Sequence, residues 1–545
     1  MPRRTLPLII LLLPLLLLSS CAEPGATSLR FEVSFPESLR EGPLTGRAFV
    51  MISREETPEP RLQVGRYGVP FFGVDIEGLE PGETAVIDAG TLGSPLESLS
   101  DLPAGDYHVQ ALFNIYSRFE RADGHVVWMH DDRWEGQDWR RSPGNLVSEV
   151  RTIHLDPRRT GRVHLEVERE LPPVEVPEDT RYVKRFKFQS PMLSAFWGRP
   201  IYLGATVLLP EGYEEHPDAR YPTIYYQGHF SLRPPFGFVD PAEHPDRAGS
   251  LSRAWAGEGF PRVITVTFQH PTPYFDDSYA VNSVNVGPYG DAIMEELIPE
   301  FERRFRAIQA PWARVLTGGS TGGWESLALQ VWHPGFFGGT WSFAPDPVDF
   351  RNVEGIDIYE DENAFYKIHE WRKVPIANTR TTEGEVLLTS RQRNYYELVK
   401  GTRGRSGEQL DIWSAVFGPL GEDGYFQPLF DKRTGEMDPE VAAYWKEHYD
   451  IRHYLESNWS EVGPDLVGKI HIIAGHMDNF YLNVGCYHLQ DFLENTRDPH
   501  YQGSFTFGAR GGHGWRPWSS EELVRIMADH MMGNAPEGTR HRWRY

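Results

Sequence analysis

From residue 29 to residue 170, apolar and polar positions alternate in short runs separated by Gly/Pro turns. Residues 163–168 (Val-His-Leu-Glu-Val-Glu) alternate with period two, the pattern of a strand with one buried face. Residues 107–116 read the same way after the turn signal Pro103-Ala104-Gly105-Asp106, and residues 48–52 supply a further strand. No long helical period interrupts these runs, so 29–170 is expected to form an all-β sandwich. Leu171-Pro172-Pro173-Val174-Glu175-Val176-Pro177 then opens a stiff linker, placed at 171–180.

Beyond residue 180 strands and helices alternate. Strand-like runs lie at 186–188, 205–209, 223–226, 263–268, 314–317, 341–343 and 470–473. Ile293, Leu297, Phe301 and Phe305 recur every four residues, with Met294 and Ile298 widening a single buried stripe. Ser519 and Glu522 form a capping box ahead of Leu523, Ile526 and Met527. The alternation predicts an α/β domain over 181–545, with a mainly parallel sheet and helices on both faces. Residues 351–462 are rich in Trp, Tyr and charge and too long for an ordinary connection. They are expected to form an inserted cap with a helix at 439–455. Its Trp371, Tyr395, Tyr396 and Trp413 are expected to wall the site with aromatic surface.

Composition narrows the field. Of 545 residues 40% are hydrophobic and 13% aromatic, which supplies sizeable cores and excludes general disorder. A formal charge of −23 argues against nucleic acid or an anionic membrane surface as the main partner. At the N-terminus Arg3 and Arg4 precede a 13-residue apolar run, Leu6 to Leu18, too short for an ordinary membrane span. It reads as an export signal over 1–20. Leu18-Ser19-Ser20-Cys21 resembles a bacterial lipobox, in which cleavage leaves a lipidated Cys21 as the new N-terminus. Residues 21–28 are then a tether, and acyl chains would hold the protein on the cell-envelope membrane. Cys486, left without a disulfide partner, reads as a small buried hydrophobe.

The chemistry begins at Gly318-Gly319-Ser320-Thr321-Gly322, which follows a short strand and precedes a helical run at 324–332. Strand, G-x-S-x-G and helix together form the context in which a tight turn lifts a serine hydroxyl above a sheet. A serine needs a base, and in this context the order Ser, Asp or Glu, His is expected. Asp478 follows the 470–473 strand, and His513 lies in the glycine-rich Gly511-Gly512-His513-Gly514-Trp515. Asp346, Asp349 and Asp491 are alternatives for the acid, and His476 reads as a packing or supporting residue. An oxyanion needs donors: the Thr321 N–H, and one from Gln227-Gly228-His229-Phe230, at His229 or Phe230.

These residues resemble the esterase family of α/β-hydrolases that includes esterase D-like, feruloyl-esterase-like and enterochelin-esterase-like members. The resemblance is carried by 205–213 (Ala-Thr-Val-Leu-Leu-Pro-Glu-Gly-Tyr), 296–300 (Glu-Leu-Ile-Pro-Glu), 318–323, and 511–515 with Trp518. It implies a serine esterase acting through an acyl-enzyme with Ser320, His513 and Asp478, without a cofactor. The long insertion and the missing His-Gly-Gly run depart from the family pattern. The family also admits acyl transfer to an alcohol. A third reading, from another class, is an inactive hydrolase scaffold whose sandwich binds a glycan or partner. Trp128, Trp134 and Trp139 in the sandwich are expected in core or interdomain contacts. His130-Asp131-Asp132 and Glu360-Asp361-Glu362-Asn363 lack metal-site spacing and read as solvated acidic turns, so no metal is expected.

Overall fold

The computed structural model describes residues 29–539 and 543. The export signal, Cys21 and the 21–28 tether lie outside the described residues. The N-terminal region is a β-sandwich. Strands β1 (Arg30–Ser34), β4 (Ala85–Ile87) and β6 (Arg162–Glu166) form a three-stranded sheet with β1 in the middle. It faces an eight-stranded sheet centred on β2 (Leu44–Ser53), β3 (Phe71–Leu79) and β5 (Gly105–Glu120). The period-two pattern explains the packing: Val163 and Leu165 point inward against Phe31, Val33, Ala48, Val50 and Phe113, while Arg162, His164 and Glu166 face solvent. Leu171 still belongs to this body, because its N–H donates to Asn145 O at 2.8 Å and its side chain is buried.

The second sheet has eight strands: β7 (Val183–Gln189), β8 (Tyr202–Leu208), β9 (Thr223–Gln227), β10 (Ile264–Gln269), β11 (Arg314–Gly319), β12 (Gly339–Phe343), β13 (Ile470–Gly475) and β14 (Ser504–Gly508). Their spatial order is β7-β8-β10-β9-β11-β12-β13-β14. The first two pairings are antiparallel and the remaining five parallel. This is the α/β-hydrolase arrangement, and both faces are apolar because helices cover both. Ile224, Val315 and Ile473 pack under helices α1 (Ser250–Trp255) and α9 (Ser520–Gly533). Their neighbours Tyr225, Leu316 and Ile472 pack on the other side, with α2 (Ile298–Arg304), α3 (Thr321–Trp332), α7 (Ile451–Leu466) and α8 (Leu482–Glu494). The stripe at 293–305 forms a π-helical turn, Ile293–Leu297, running into α2. Pro299 has no N–H to give the ladder, which accounts for the irregular turn.

Residues between β12 and β13 hold the cap, with α4 (Ser390–Lys400), α5 (Gln409–Phe417) and α6 (Pro439–Tyr449). Two expectations need correction here. The helix expected at 439–455 is two helices, because Asp450 is extended (φ −71°, ψ 105°) and caps α7 by accepting from His453 N at 2.8 Å. The insertion also ends before 462: α7 lies on α3, with Tyr454 and Trp332 rings 5.8 Å apart, and so belongs to the hydrolase body. The aromatic wall is not formed as expected. Trp371 is 95% exposed in the turn between two short hairpin strands, Tyr366–His369 and Arg372–Pro375. Tyr395 stacks with Arg391, and Trp413 is buried as a hydrogen-bond donor behind the site.

His130-Asp131-Asp132 is not a solvated turn either. His130 is buried between Asn114 Oδ1 (2.8 Å) and Glu135 Oε1 (2.6 Å), and Asp132 accepts from Trp134 N and Gln137 N. Trp134 and Trp139 make packing contacts, the first edge-on to Phe230 across the domain boundary, the second stacked on Phe49. Trp128 is partly exposed, and its backbone N–H donates to the cap's Tyr425 hydroxyl.

Candidate active site

Ser320 occupies the turn between β11 and α3 with φ 57° and ψ −123°, a conformation that a non-glycine residue adopts only under local constraint. The constraint is the closeness of the chain around it. A Cβ on Gly322 would stand 2.1 Å from Gln227 O and 2.8 Å from Gly228 Cα, so only glycine lets the turn approach the loop after β9. Thr321 begins α3, where the N–H has no intrahelical acceptor. Gly228, His229 and Phe230 follow β9 directly, and Phe230 is held from the sandwich side by Trp134, 5.2 Å between rings, and by Gly136.

Asp478 and His513 come together across neighbouring loops. Asp478 follows β13, is fully buried, and accepts from Phe480 N (2.9 Å) and Leu482 N (3.3 Å) on Oδ1. Its Oδ2 meets His513 Nδ1 at 2.8 Å. The His513 backbone N–H donates to Asn479 Oδ1 at 2.9 Å, and Phe480 packs edge-on against the imidazole with rings 4.9 Å apart. Burial disfavours the imidazolium, but the bond and charge of Asp478, with the charges of Asp346 and Glu354, outweigh it and hold the His513 pKa above the ordinary value.

The Ser320 hydroxyl donates to Asp346 Oδ1 at 3.1 Å in this conformation, and no hydrogen bond joins it to His513. Asp346 follows β12 and is buried; its other oxygen accepts from Tyr279 OH (2.5 Å), Thr321 Oγ1 (2.9 Å) and Gln409 Nε2 (2.9 Å). Burial raises its pKa, opposed by the Tyr279 and Thr321 bonds and the His513 charge. Ser320 thus bonds this carboxylate, and the charge of the same carboxylate helps to raise the His513 pKa. Through Tyr279, which also accepts from Trp413 Nε1 at 2.6 Å, the same carboxylate ties the Ser320 turn to the cap.

The other candidates lie elsewhere. Asp349 pairs with Arg351, Arg452 and His488; burial opposes ionisation, but the bonds from Arg351 and His488 hold its carboxyl far below the usual range. Asp491 is exposed on α8, and His476 bonds the Tyr487 hydroxyl at 2.7 Å. Sequence reasoning passed over Arg66, Tyr279, Asp276, Asp277, Glu325 and Gln409. Arg66 belongs to the sandwich, yet lies over the Phe480 ring (5.7 Å) and 3.7 Å from Glu408 of the cap. A polar cavity of about 350 Å³ opens there, lined by Gly65, Trp139, Asp276, Tyr396, Lys400 and Glu408. Tyr396 is thus the one member of the expected aromatic wall that lines a cavity at this junction. Glu325, the fifth residue after Ser320, is fully buried, and burial with the charge of Asp277 pushes its carboxyl well above the usual range.

Residues 202–399 match the family model described as "Putative esterase", a segment that contains the 227–230 loop and Ser320 and ends before Asp478 and His513. Among solved structures, a ferulic acid esterase is similar at 15% identity over 64% of this chain and 97% of its own, with a TM-score of 0.37. An S-formylglutathione hydrolase from Agrobacterium tumefaciens is similar at 13% identity over 66% and 97%, with a TM-score of 0.34. A ferulic acid esterase from Anaeromyces mucronatus is similar at 14% over 65% and 89%, with a TM-score of 0.28. No curated protein matches.

Proposed function

We propose that this chain is a carboxylic ester hydrolase that works through an acyl-enzyme formed on Ser320, a reading supported by the match of residues 202–399 to the esterase model. The observation that carries the reading is the Asp478–His513 pair at 2.8 Å, set after a strand of the same sheet whose β11 ends at the strained Ser320 turn. Rotation about the Ser320 Cα–Cβ bond exchanges Asp346 for His513 as hydrogen-bond acceptor. His513 then takes the hydroxyl proton as the oxygen attacks the ester carbonyl. Asp478, bonded to Nδ1, keeps Nε2 as the basic nitrogen and stabilises the imidazolium. The Thr321 N–H, with His229 or Phe230 N–H, receives the developing oxyanion. His513 returns the proton to the alcohol, and water resolves the acyl-enzyme by the same steps reversed.

Ser320→Ala is expected to cut turnover of an aryl ester by at least ~10³-fold while circular dichroism and melting stay unchanged. Undiminished activity would place the nucleophile elsewhere. The envelope location rests on the lipobox-like Leu18-Ser19-Ser20-Cys21 alone. A Cys21→Ser chain expressed in a bacterium should lose incorporation of labelled fatty acid and move out of the membrane fraction; equal labelling of both chains rejects the anchor.

A further inference from the structure

Beside the nucleophile turn, His229, Asp276 and Asp277 bring one ring nitrogen and two carboxylate oxygens within 4.8 Å of one another. His229 Nδ1 stands 3.0 Å from Asp276 Oδ1 and 3.0 Å from Asp277 Oδ2. One Nδ1–H serves only one acceptor well, so hydrogen bonding leaves the second carboxylate poorly matched. Two ligand atoms each bound at about 2.1 Å to one metal ion are themselves about 3.0–3.4 Å apart for angles between square and tetrahedral, close to the spacing found.

Independent of this cluster is Glu325. Its side chain is 0% exposed, and neither carboxylate oxygen has a hydrogen-bond donor. Glu325 Oε1 stands 3.8 Å from His270 Nε2, and the same ring is bonded at Nδ1 by Ser278, the residue after Asp277, so Glu325 on α3 lies beside the segment that carries the two aspartates. A buried bare carboxylate is costly unless a cation or a donor reaches it. Among the described residues no Lys or Arg pairs with Asp276, Asp277 or Glu325; their ion-pair partners are His229 and, at 3.8 Å from Glu325, His270. Two imidazoles thus face three carboxyl groups, and the cluster is reachable, since the His229 side chain is 48% and the Asp276 side chain 21% exposed.

We infer that His229, Asp276 and Asp277 bind a divalent transition metal of the zinc or manganese class, with Glu325 accepting from a metal-bound water. Imidazole with carboxylates suits these ions, and three protein ligands leave a position for water. Because His229 is a backbone candidate for the oxyanion, the ion would fix that loop to the 276–277 segment as a positioning clamp. No chemical step runs through it, and the acyl-enzyme reading does not depend on it.

The test is calorimetric titration of Zn²⁺ and of Mn²⁺ into the full chain after dialysis against EDTA, with melting followed in parallel. The wild type is expected to bind one equivalent of at least one ion and to melt at higher temperature with it. Asp276→Asn, at the accessible edge, should keep its fold by circular dichroism and bind at least about 100-fold more weakly. Asp277→Asn should do the same where it folds. Binding of neither ion by the wild type, or equal affinity in a folded Asp276→Asn protein, overturns the site; Glu325 is then a protonated acid.

Discussion

Asp346 and Asp478 are carboxylates at the C-terminal ends of adjacent-sheet strands β12 and β13, and both are buried, yet their surroundings assign them different work. Asp478 accepts from two backbone N–H groups and aims its free oxygen at His513. Asp346 collects hydroxyl and amide donors, Ser320, Thr321, Tyr279 and Gln409, and so organises the turn rather than the base. Asp478→Asn is expected to lower kcat by about 10⁴-fold, the loss that follows when a triad histidine is held in the wrong tautomer. Asp346→Asn, which keeps an oxygen acceptor, is expected to cost about tenfold, or about 1.4 kcal/mol. The pH profile separates the two further. As the proposed base His513 must be neutral to act, and its pKa is raised, so kcat/KM is expected to be full above that raised value and to fall as pH drops through it. Asp478→Asn removes the largest raising influence and should move this acid limb to lower pH; the Asp346 and Glu354 charges remain, so the move is partial. Equal losses of kcat in the two variants, with unmoved limbs, would refute this division.

At the scale of elements, the break between α6 and α7 shows what one polar side chain can decide. Asp450 caps α7 through His453 N, accepts from Phe350 N at 2.9 Å and from Tyr359 OH at 2.7 Å, and is buried. Asp450→Ala removes a cap, about 0.5–2 kcal/mol, and orphans a buried donor, about 1–3 kcal/mol. A loss of about 2–4 kcal/mol in urea unfolding is expected, and a loss below 0.5 kcal/mol would contradict the role given to this side chain. The apolar period at 439–455 hides the break, because both helices continue one buried stripe through Trp445, Tyr449, Ile451 and Leu455. The Ser320 turn was legible for the opposite reason: strand, glycines, serine and helix are contiguous, so the sequence contains all of its geometry. Strand β14 was not, since Ser504-Phe505-Thr506-Phe507-Gly508 is short and becomes a strand through pairing with β13. The His229 cluster was not legible either. Its members come from the loop after β9 and the 276–277 segment, and proximity created by folding gives them meaning.

Over the whole molecule, the sandwich is built into the walls of the candidate site. Arg47 on β2 is 3% exposed and donates to Val399 O at 2.8 Å and Leu398 O at 3.3 Å at the end of α4, while pairing with Asp75 at 2.6 Å. Asp75 in turn accepts from Thr402 and pairs with Arg405 at 3.4 Å, both in the cap. Phe71 packs edge-on to Tyr396, 5.8 Å between rings, so the α4 residues lining the polar cavity are set by β2 and β3. Arg66, over Phe480, and Trp134, against Phe230, extend the same support to His513 and the 227–230 loop. A domain that only recognised a distant partner would not need buried charge at this seam. Removing one member of such a network leaves the others buried and unpaired, at about 3–5 kcal/mol. Arg47→Met is therefore expected to undock the sandwich from α4, splitting one calorimetric unfolding transition into two and raising KM through the loosened cavity wall. Because Arg47 lies far along the chain from Ser320, His513 and Asp478, labelling of Ser320 by a fluorophosphonate should persist. A single transition at the wild-type temperature with an unchanged KM would mean that the sandwich is a passenger on the hydrolase.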